Sequence, residues 1–199
     1  MKKPAITQVP INETIANRWS GRAYDAGKSV SHVQIITLLE AARWAPSCFG
    51  DQPWRFIVWD KYADAAAWQK AFDCLVPGNQ DWVKDAPLLM LVCADSLFNH
   101  NQTPNRWAQY DTGAAAENLC LQASSMGLMA HQMGGFNADK TRENFAIPAQ
   151  FTPMAMLCVG YAADITTLEG DILNRETATR SRRPLSELFF AESWGQPIE

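Results

Sequence analysis

Residues 107–126 read WAQYDTGAAAENLCLQASSM. Ala114, Ala115, Ala116, Leu119, Leu121, Ala123 and Met126 spread around most of a helical circumference, so the stretch predicts one long helix that is apolar on most sides. Such a helix belongs inside a core or a subunit interface, where more than one of its faces is covered. Its alanines and Gly113 leave room for another helix to approach closely. Gly127 follows the last apolar position and ends it.

On the N-terminal side, Ser31 can cap a helix running to about Trp44, along which Val33, Ile36, Leu39 and Ala42 recur at helical spacing. Ala45-Pro46-Ser47 ends that helix. Trp54 to Trp59 is rich in aromatic and β-branched residues and predicts a short strand. A further helix is expected over 64–74. After Pro87 the run LLMLVCA is apolar throughout, which predicts a strand covered on both faces. Beyond the central helix, Leu128 to Met133 is short and extended, Asn137 can cap a helix at about 138–145, and Met154 to Tyr161 forms a third clear strand. These elements give an α/β or α+β class and one domain across residues 1–199, with a strand order that local patterning leaves open. The C-terminal stretch ends in an apolar SELFF. Leu188, Phe189 and Phe190 are wasted in solvent, so the tail is expected to reach across to something.

Composition excludes several classes of protein. The 199 residues are 47% hydrophobic and 19% charged, enough apolar mass for a sizeable core and too little charge for a disordered chain. A net charge of −4 argues against nucleic acid as a partner, since neutralising phosphates requires a surplus of Lys and Arg. Eight tryptophans imply burial, an interface or stacking on a ligand. No window approaches 18 consecutive apolar residues, so no membrane-spanning helix is expected. The MKKPAITQVP start has no apolar segment of a secretory signal. Cys74, Cys93, Cys120 and Cys158 read as reduced core residues of a cytoplasmic protein, while Cys48 lies in a loop.

The common catalytic templates are missing. His32, His100 and His131 are isolated, so no metal site is expected. There is no Gly-x-Ser-x-Gly elbow, Gly-x-Gly-x-x-Gly turn or phosphate-binding loop with its lysine. What stands out is Arg18-Trp19-Ser20-Gly21-Arg22. In an extended segment Arg18, Ser20 and Arg22 share one face, and two guanidinium forks with a hydroxyl suit a phosphate dianion. Spacing alone does not separate that reading from a solvated basic loop. A second cluster, Arg180-Ser181-Arg182-Arg183, lies near the other end; two such clusters in a net-acidic chain suggest one shared anion site. Ala45 to Phe56 joins a helix to a strand through Pro46 and Pro53, and Gly134-Gly135 either lets a backbone pass close to a flat ligand or simply makes a turn.

Taken together, Arg18-x-Ser20-x-Arg22, Ala45-Pro46-Ser47-x-x-x-x-Gln52-Pro53-Trp54, Gly78-Asn79-Gln80-x-Trp82, Tyr110-Asp111-Thr112-Gly113-Ala114, Gly134-Gly135-Phe136 and Arg180-x-Arg182-Arg183-Pro184-Leu185 resemble, in order, the nitroreductase family of FMN flavoproteins. The resemblance implies an α+β, three-layer α/β/α fold with a mostly antiparallel central sheet flanked by helices, in an intertwined homodimer carrying FMN at the interface. Arg18, Trp19, Ser20 and Arg22 would hold the phosphate and ribityl chain, and Arg180 and Arg182 would complete the phosphate cage. Pro46, Ser47 and Cys48 match a loop that the other subunit lays against the isoalloxazine. Asn79 matches a side chain at the ring's pyrimidine edge, and Met133, Gly134 and Gly135 match the backbone on its N5 side.

The implied activity is hydride transfer from NADH or NADPH through flavin N5 to a nitroaromatic, quinone or similar acceptor by a ping-pong mechanism. FMN carries that chemistry, so no catalytic side chain is assigned. A flavin storage or sensing protein would use the same cage. The chain departs from the family pattern where Gly50 replaces a loop Asn and where Trp82 replaces a Lys that some members place near the flavin N1–O2 edge. The polar stretch Leu97 to Trp107 reads as a lid over the flavin that shapes acceptor choice.

Overall fold

The computed structural model describes residues 3–198. Its elements follow in the order α1 (Glu13–Asn17), α2 (His32–Arg43), β1 (Trp54–Asp60), α3 (Ala65–Phe72), α4 (Pro77–Val83), β2 (Leu88–Asp95), α5 (Ala108–Ser125), β3 (Met129–Met133), α6 (Ala138–Asn144), β4 (Phe151–Gly160) and α7 (Gly170–Thr177). The expected α2, α3, α5 and α6 are present, as are all four expected extended segments. Their boundaries follow local chemistry. Ser31 and Gln34 form a reciprocal capping box on α2. Asp64 and Asn137 accept backbone N–H groups at the starts of α3 and α6. Gly127, at φ 73°, closes α5: its N–H and that of Leu128 donate back to the Ser124 and Ala123 carbonyls.

The four strands form one sheet in the order β1-β2-β4-β3, antiparallel throughout. All eight residues of β2 are buried, as an apolar run in the middle of a sheet must be. The β2–β4 register slips once, between Val92 and Cys93, where Met154 is passed over. Pro153 sits at that bulge, the place in an interior strand where a missing N–H is tolerated.

Side chains alternate between two cores. Leu88, Met90, Val92, Leu157 and Val159 point to one face and pack under α2 and α5. Leu89, Leu91, Cys93, Met156 and Cys158 point to the other, under Trp68 of α3 and Trp82 and Val83 of α4. The result is three layers with the sheet in the middle. Burial of the apolar rows on both faces is the main stabilising term.

Two helices keep apolar surface outside these cores. On α2 the buried residues are Ile35, Leu38 and Ala42, whereas Val33 and Ile36 face outward at 74% and 50% exposure. On α5, Tyr110 is 78% exposed, and a Cβ placed on Gly113 would meet nothing within 4 Å. The central helix is therefore in the core on one side and open on the other. Leu188 and Phe189 are exposed too.

Candidate functional site

The segment 18–22 leaves α1 with Arg18 in an extended conformation. The Arg18 guanidinium lies 3.4 Å from Ser20 Oγ, and its Nε is 3.3 Å from Glu117 of α5. Burial raises the Glu117 carboxyl above its ordinary range and Arg18 opposes that rise. Arg22 points the other way, its guanidinium carbon 5.8 Å from the centre of the Trp82 ring. Among the described residues the Arg22 guanidinium donates to no protein acceptor, which leaves its whole fork for something else.

Three residues from distant parts of the chain fix the backbone of this segment. Glu176, the one buried residue of α7, accepts the Arg22 N–H at 2.8 Å. The His131 ring on β3 meets the Gly21 carbonyl through Nδ1 at 3.0 Å. Burial lowers the His131 pKa, with Arg22 and Arg18 adding to the effect, so the ring is held neutral and must carry its proton on Nδ1 to donate there. Arg180 donates to the carbonyls of Lys3 (2.6 Å), Ala16 (2.8 Å) and Arg18 (2.9 Å). The two basic clusters therefore do meet in space, but the Arg180 fork is spent on backbone. Arg182 is exposed and donates only to the neighbouring Ser181 carbonyl. Trp19 is half-buried beneath Lys3, whose ammonium is 4.5 Å from the ring centre.

Gly21 has a steric reason to be glycine. A Cβ there would sit 2.0 Å from Met129 Sδ and 3.0 Å from the Trp19 ring. A cleft of about 250 Å³ opens beside this segment, between Arg18, Trp19, Cys120, Ser124 and Leu128.

Trp82 and Asn79 come from α4, a helix that the sequence reading did not anticipate. Trp82 is buried between Tyr24 (6.4 Å between ring centres) and His131 (4.6 Å). It is thus the floor on which Arg22 lies. Asn79 Nδ2 donates to the Gly135 carbonyl at 3.0 Å, and Gly135 has no space for a side chain because Asn79 and Val76 fill it. Gly134 is exposed and faces open space, while Met133 is buried at the end of β3. Arg22, Trp82 and His131 therefore form one packed group, and α4 carries the edge on from Trp82 to Asn79, which meets Gly135.

Pro46, Ser47 and Cys48 lie elsewhere. The Cys48 N–H donates to Asp111 in the first turn of α5, and Ser47 Oγ accepts the Gln52 N–H. The cleft beside Arg18 touches α5 at Cys120 and Ser124, roughly 14–20 Å further along the axis at 1.5 Å per residue. Within one chain this loop is not brought to the arginines.

The segment read as a lid is a folded loop. The Phe98 N–H donates to the Thr103 carbonyl, the Asn105 N–H donates back to the Ser96 carbonyl, and Asn99 is tied to Asp51 by its backbone and side chain.

The model of the nitroreductase family matches residues 15–161. The chain is a member of the nitroreductase family. A solved structure described as an oxidoreductase containing FMN superposes on this member with a TM-score of 0.88 at 32% identity, covering 96% of each chain. A nitroreductase family protein from Clostridium difficile 630 gives 0.67 at 27% identity, covering 88% of this chain and 94% of its own. The major NAD(P)H-flavin oxidoreductase of Aliivibrio fischeri is 26% identical over 173 residues, 81% of this chain and 75% of its own.

For this family member, Glu176 and His131 are the positioning residues that sequence reasoning missed. A lone acid on a short polar helix and an isolated histidine carry no local signal. The four core cysteines are buried, and burial pushes the Cys93 thiol up to about 11 and those of Cys120 and Cys158 up to about 12, which leaves these three inert. Among the described residues no group of three or more His, Cys, Asp or Glu is placed to hold a metal, and no helix is long and apolar enough to cross a membrane.

Proposed function

We propose that this chain, an FMN-dependent NAD(P)H oxidoreductase, takes hydride from NADH or NADPH onto N5 of its flavin and passes reducing equivalents to a nitroaromatic, quinone or similar small acceptor in a ping-pong cycle. The observation that carries the reading is the convergence of residues 18–22 and 180–182 at one end of an edge whose other end is Asn79 and Gly134-Gly135. The edge fits the group: the Arg22 fork is uncommitted, Ser20 and Arg182 are exposed, and the Gly134 backbone is bare.

Arg18, Ser20 and Arg182 hold the phosphate and ribityl chain, each with charge-assisted or hydroxyl hydrogen bonds. Trp19 walls the same segment. Arg180 holds the Arg18 carbonyl and so aims its neighbours instead of binding phosphate itself. Asn79 and the 133–135 backbone line the ring's polar edge. Arg22, seated on Trp82, supplies the positive charge at the N1–O2 edge that a lysine at position 82 would otherwise bring.

Pro46, Ser47 and Cys48 complete the site from a second copy of the chain. Two features support a homodimer: the separation along α5 just described, and the outward apolar surface of Val33, Ile36 and Tyr110. Initial rates at varied NADH and quinone test the cycle. Parallel double-reciprocal lines are expected; lines that intersect would require both substrates bound at once and overturn it.

A further inference from the structure

Phe49 stands in the left-handed backbone region (φ 56°, ψ 15°), and Gly50 (φ 66°) and Gln52 (φ 51°) do the same. A bulky residue is disfavoured there, and such strain persists only where the surroundings impose it. The conformation does not bury the ring, which is 82% exposed. It presents the ring. One edge of Phe49 rests against Phe98 (5.9 Å between ring centres) and His100 (5.5 Å), which also touch each other at 5.2 Å. The remainder of the ring is open.

The support beneath it is built from hydrogen bonds to Asp51, whose side chain is 3% exposed. Asp51 Oδ1 accepts the Asn99 N–H at 2.9 Å, its carbonyl accepts Asn99 Nδ2 at 2.9 Å, and Oδ1 lies 3.7 Å from His100 Nδ1. These bonds tie loop 48–52 to loop 96–105. Between them opens a cleft of about 490 Å³, lined by Phe49, Gly50, Asp51, Asn99 and His100.

We infer that this cleft takes the distal aromatic ring of a multi-ring acceptor, whose reducible ring lies on the flavin. The inference rests on the flavin reading of the Cys48 loop. Phe49 follows Cys48 directly in the short turn Cys48–Gly50, so a ring seated against Cys48 has Phe49 as its neighbour along the loop. Aromatic rings pair edge-to-face or offset, the two arrangements that the open side of Phe49 allows. Asn99 and His100 give the rim polar groups for a carbonyl or nitro substituent. No Lys or Arg lines the cleft, so an adenosine phosphate of the nicotinamide donor has no charge partner there. Single-ring acceptors are reduced without using the cleft; two-ring acceptors gain from it.

The test uses FMN-loaded protein and two non-reducible probes, benzamide and 2-naphthamide, titrated by calorimetry. The intact protein is expected to bind 2-naphthamide about fivefold more tightly than benzamide, the worth of one good aromatic pair. Phe49→Ala removes that preference and Phe49→Tyr keeps it. In turnover, kcat/KM for 1,4-naphthoquinone falls by a similar factor in Phe49→Ala, while that for 1,4-benzoquinone and the KM for NADH stay within about twofold. An unchanged naphthamide preference in Phe49→Ala overturns the assignment. So does a loss confined to the NADH KM, which would seat the donor's adenine there. The probe titration needs no turnover: a protein that binds 2-naphthamide through Phe49 but never oxidises NAD(P)H supports the cleft and overturns the flavin reading instead.

Discussion

Arg180→Ala separates holding the phosphate from holding the segment that holds it. Arg180 makes three charge-assisted bonds to the Lys3, Ala16 and Arg18 carbonyls, at 2.6–2.9 Å. A hydrogen bond to a charged group contributes about 1.5–3 kcal/mol. Arg180 is only partly buried, so the three together, discounted for solvent, come to roughly 2–4 kcal/mol. For a chain of this size 1 kcal/mol moves Tm by about 2–4 °C, so the flavin-free variant should melt roughly 5–15 °C lower. FMN affinity should fall at least about tenfold, because Arg18 loses its anchor. Arg182→Ala is the control. Arg182 is exposed and bonds only to Ser181, so its loss should weaken FMN at least about tenfold with the flavin-free Tm unchanged. The assays are thermal unfolding of stripped protein and FMN fluorescence titration. Arg180→Ala with an unaltered flavin-free Tm and lost FMN binding would refute the reasoning, because the guanidinium would then be a direct phosphate ligand.

Gly21→Ala places a methyl 2.0 Å from Met129 Sδ, an overpacking that costs about 1–3 kcal/mol; FMN binding should weaken by about tenfold or more, and an unchanged affinity would show that the segment can give way at no cost. The Glu176 pKa is raised by burial, so its contribution to stability is fully present below the ordinary value of 4.5 and is lost as pH rises through the higher folded value. Glu176→Gln keeps an acceptor for the Arg22 N–H and does not titrate, so Tm measured against pH should lose that falling step above pH 4.5; a step that persists would assign it to another group. Asp51→Ala removes the carboxylate bonds to Asn99 and loosens loop 96–105 against the Cys48 loop, and relative rates across one-ring and two-ring acceptors should change while FMN affinity stays within about twofold; equal rates across the panel would remove loop 96–105 from acceptor choice.

Much of this fold could be read locally, and what could not has identifiable causes. The strands were visible because β2 and β4 are long apolar runs, but their order rests on pairings such as Leu88 with Val159, which no local pattern encodes. On α2 the apolar spacing of Val33 and Ile36 marked the outward face, since Ile35 and Leu38 at neighbouring positions are equally apolar and it is tertiary packing that chooses between them. The seven-residue α4 was missed because it begins Pro-Gly-Asn, residues that read as a turn, and is held by Trp82 and Val83 in the core. At the site, the alternate spacing of Arg18 and Ser20 brings those two together, whereas Arg22 turns to the Trp82 ring, a partner that no spacing encodes. The division of labour between Arg180 and Arg182 was not, because it depends on which carbonyls lie within reach. Trp82 looked like a lost lysine in the sequence; in the fold it is the support of Arg22.

The most direct test of the account is the visible spectrum of the purified protein during an anaerobic titration. Flavin bands that disappear on adding about one equivalent of NADH or NADPH per bound flavin, and return in full when a quinone or nitroaromatic is added, are the predicted result. A colourless protein that takes up no FMN, or bound flavin that neither nicotinamide reduces, would contradict it.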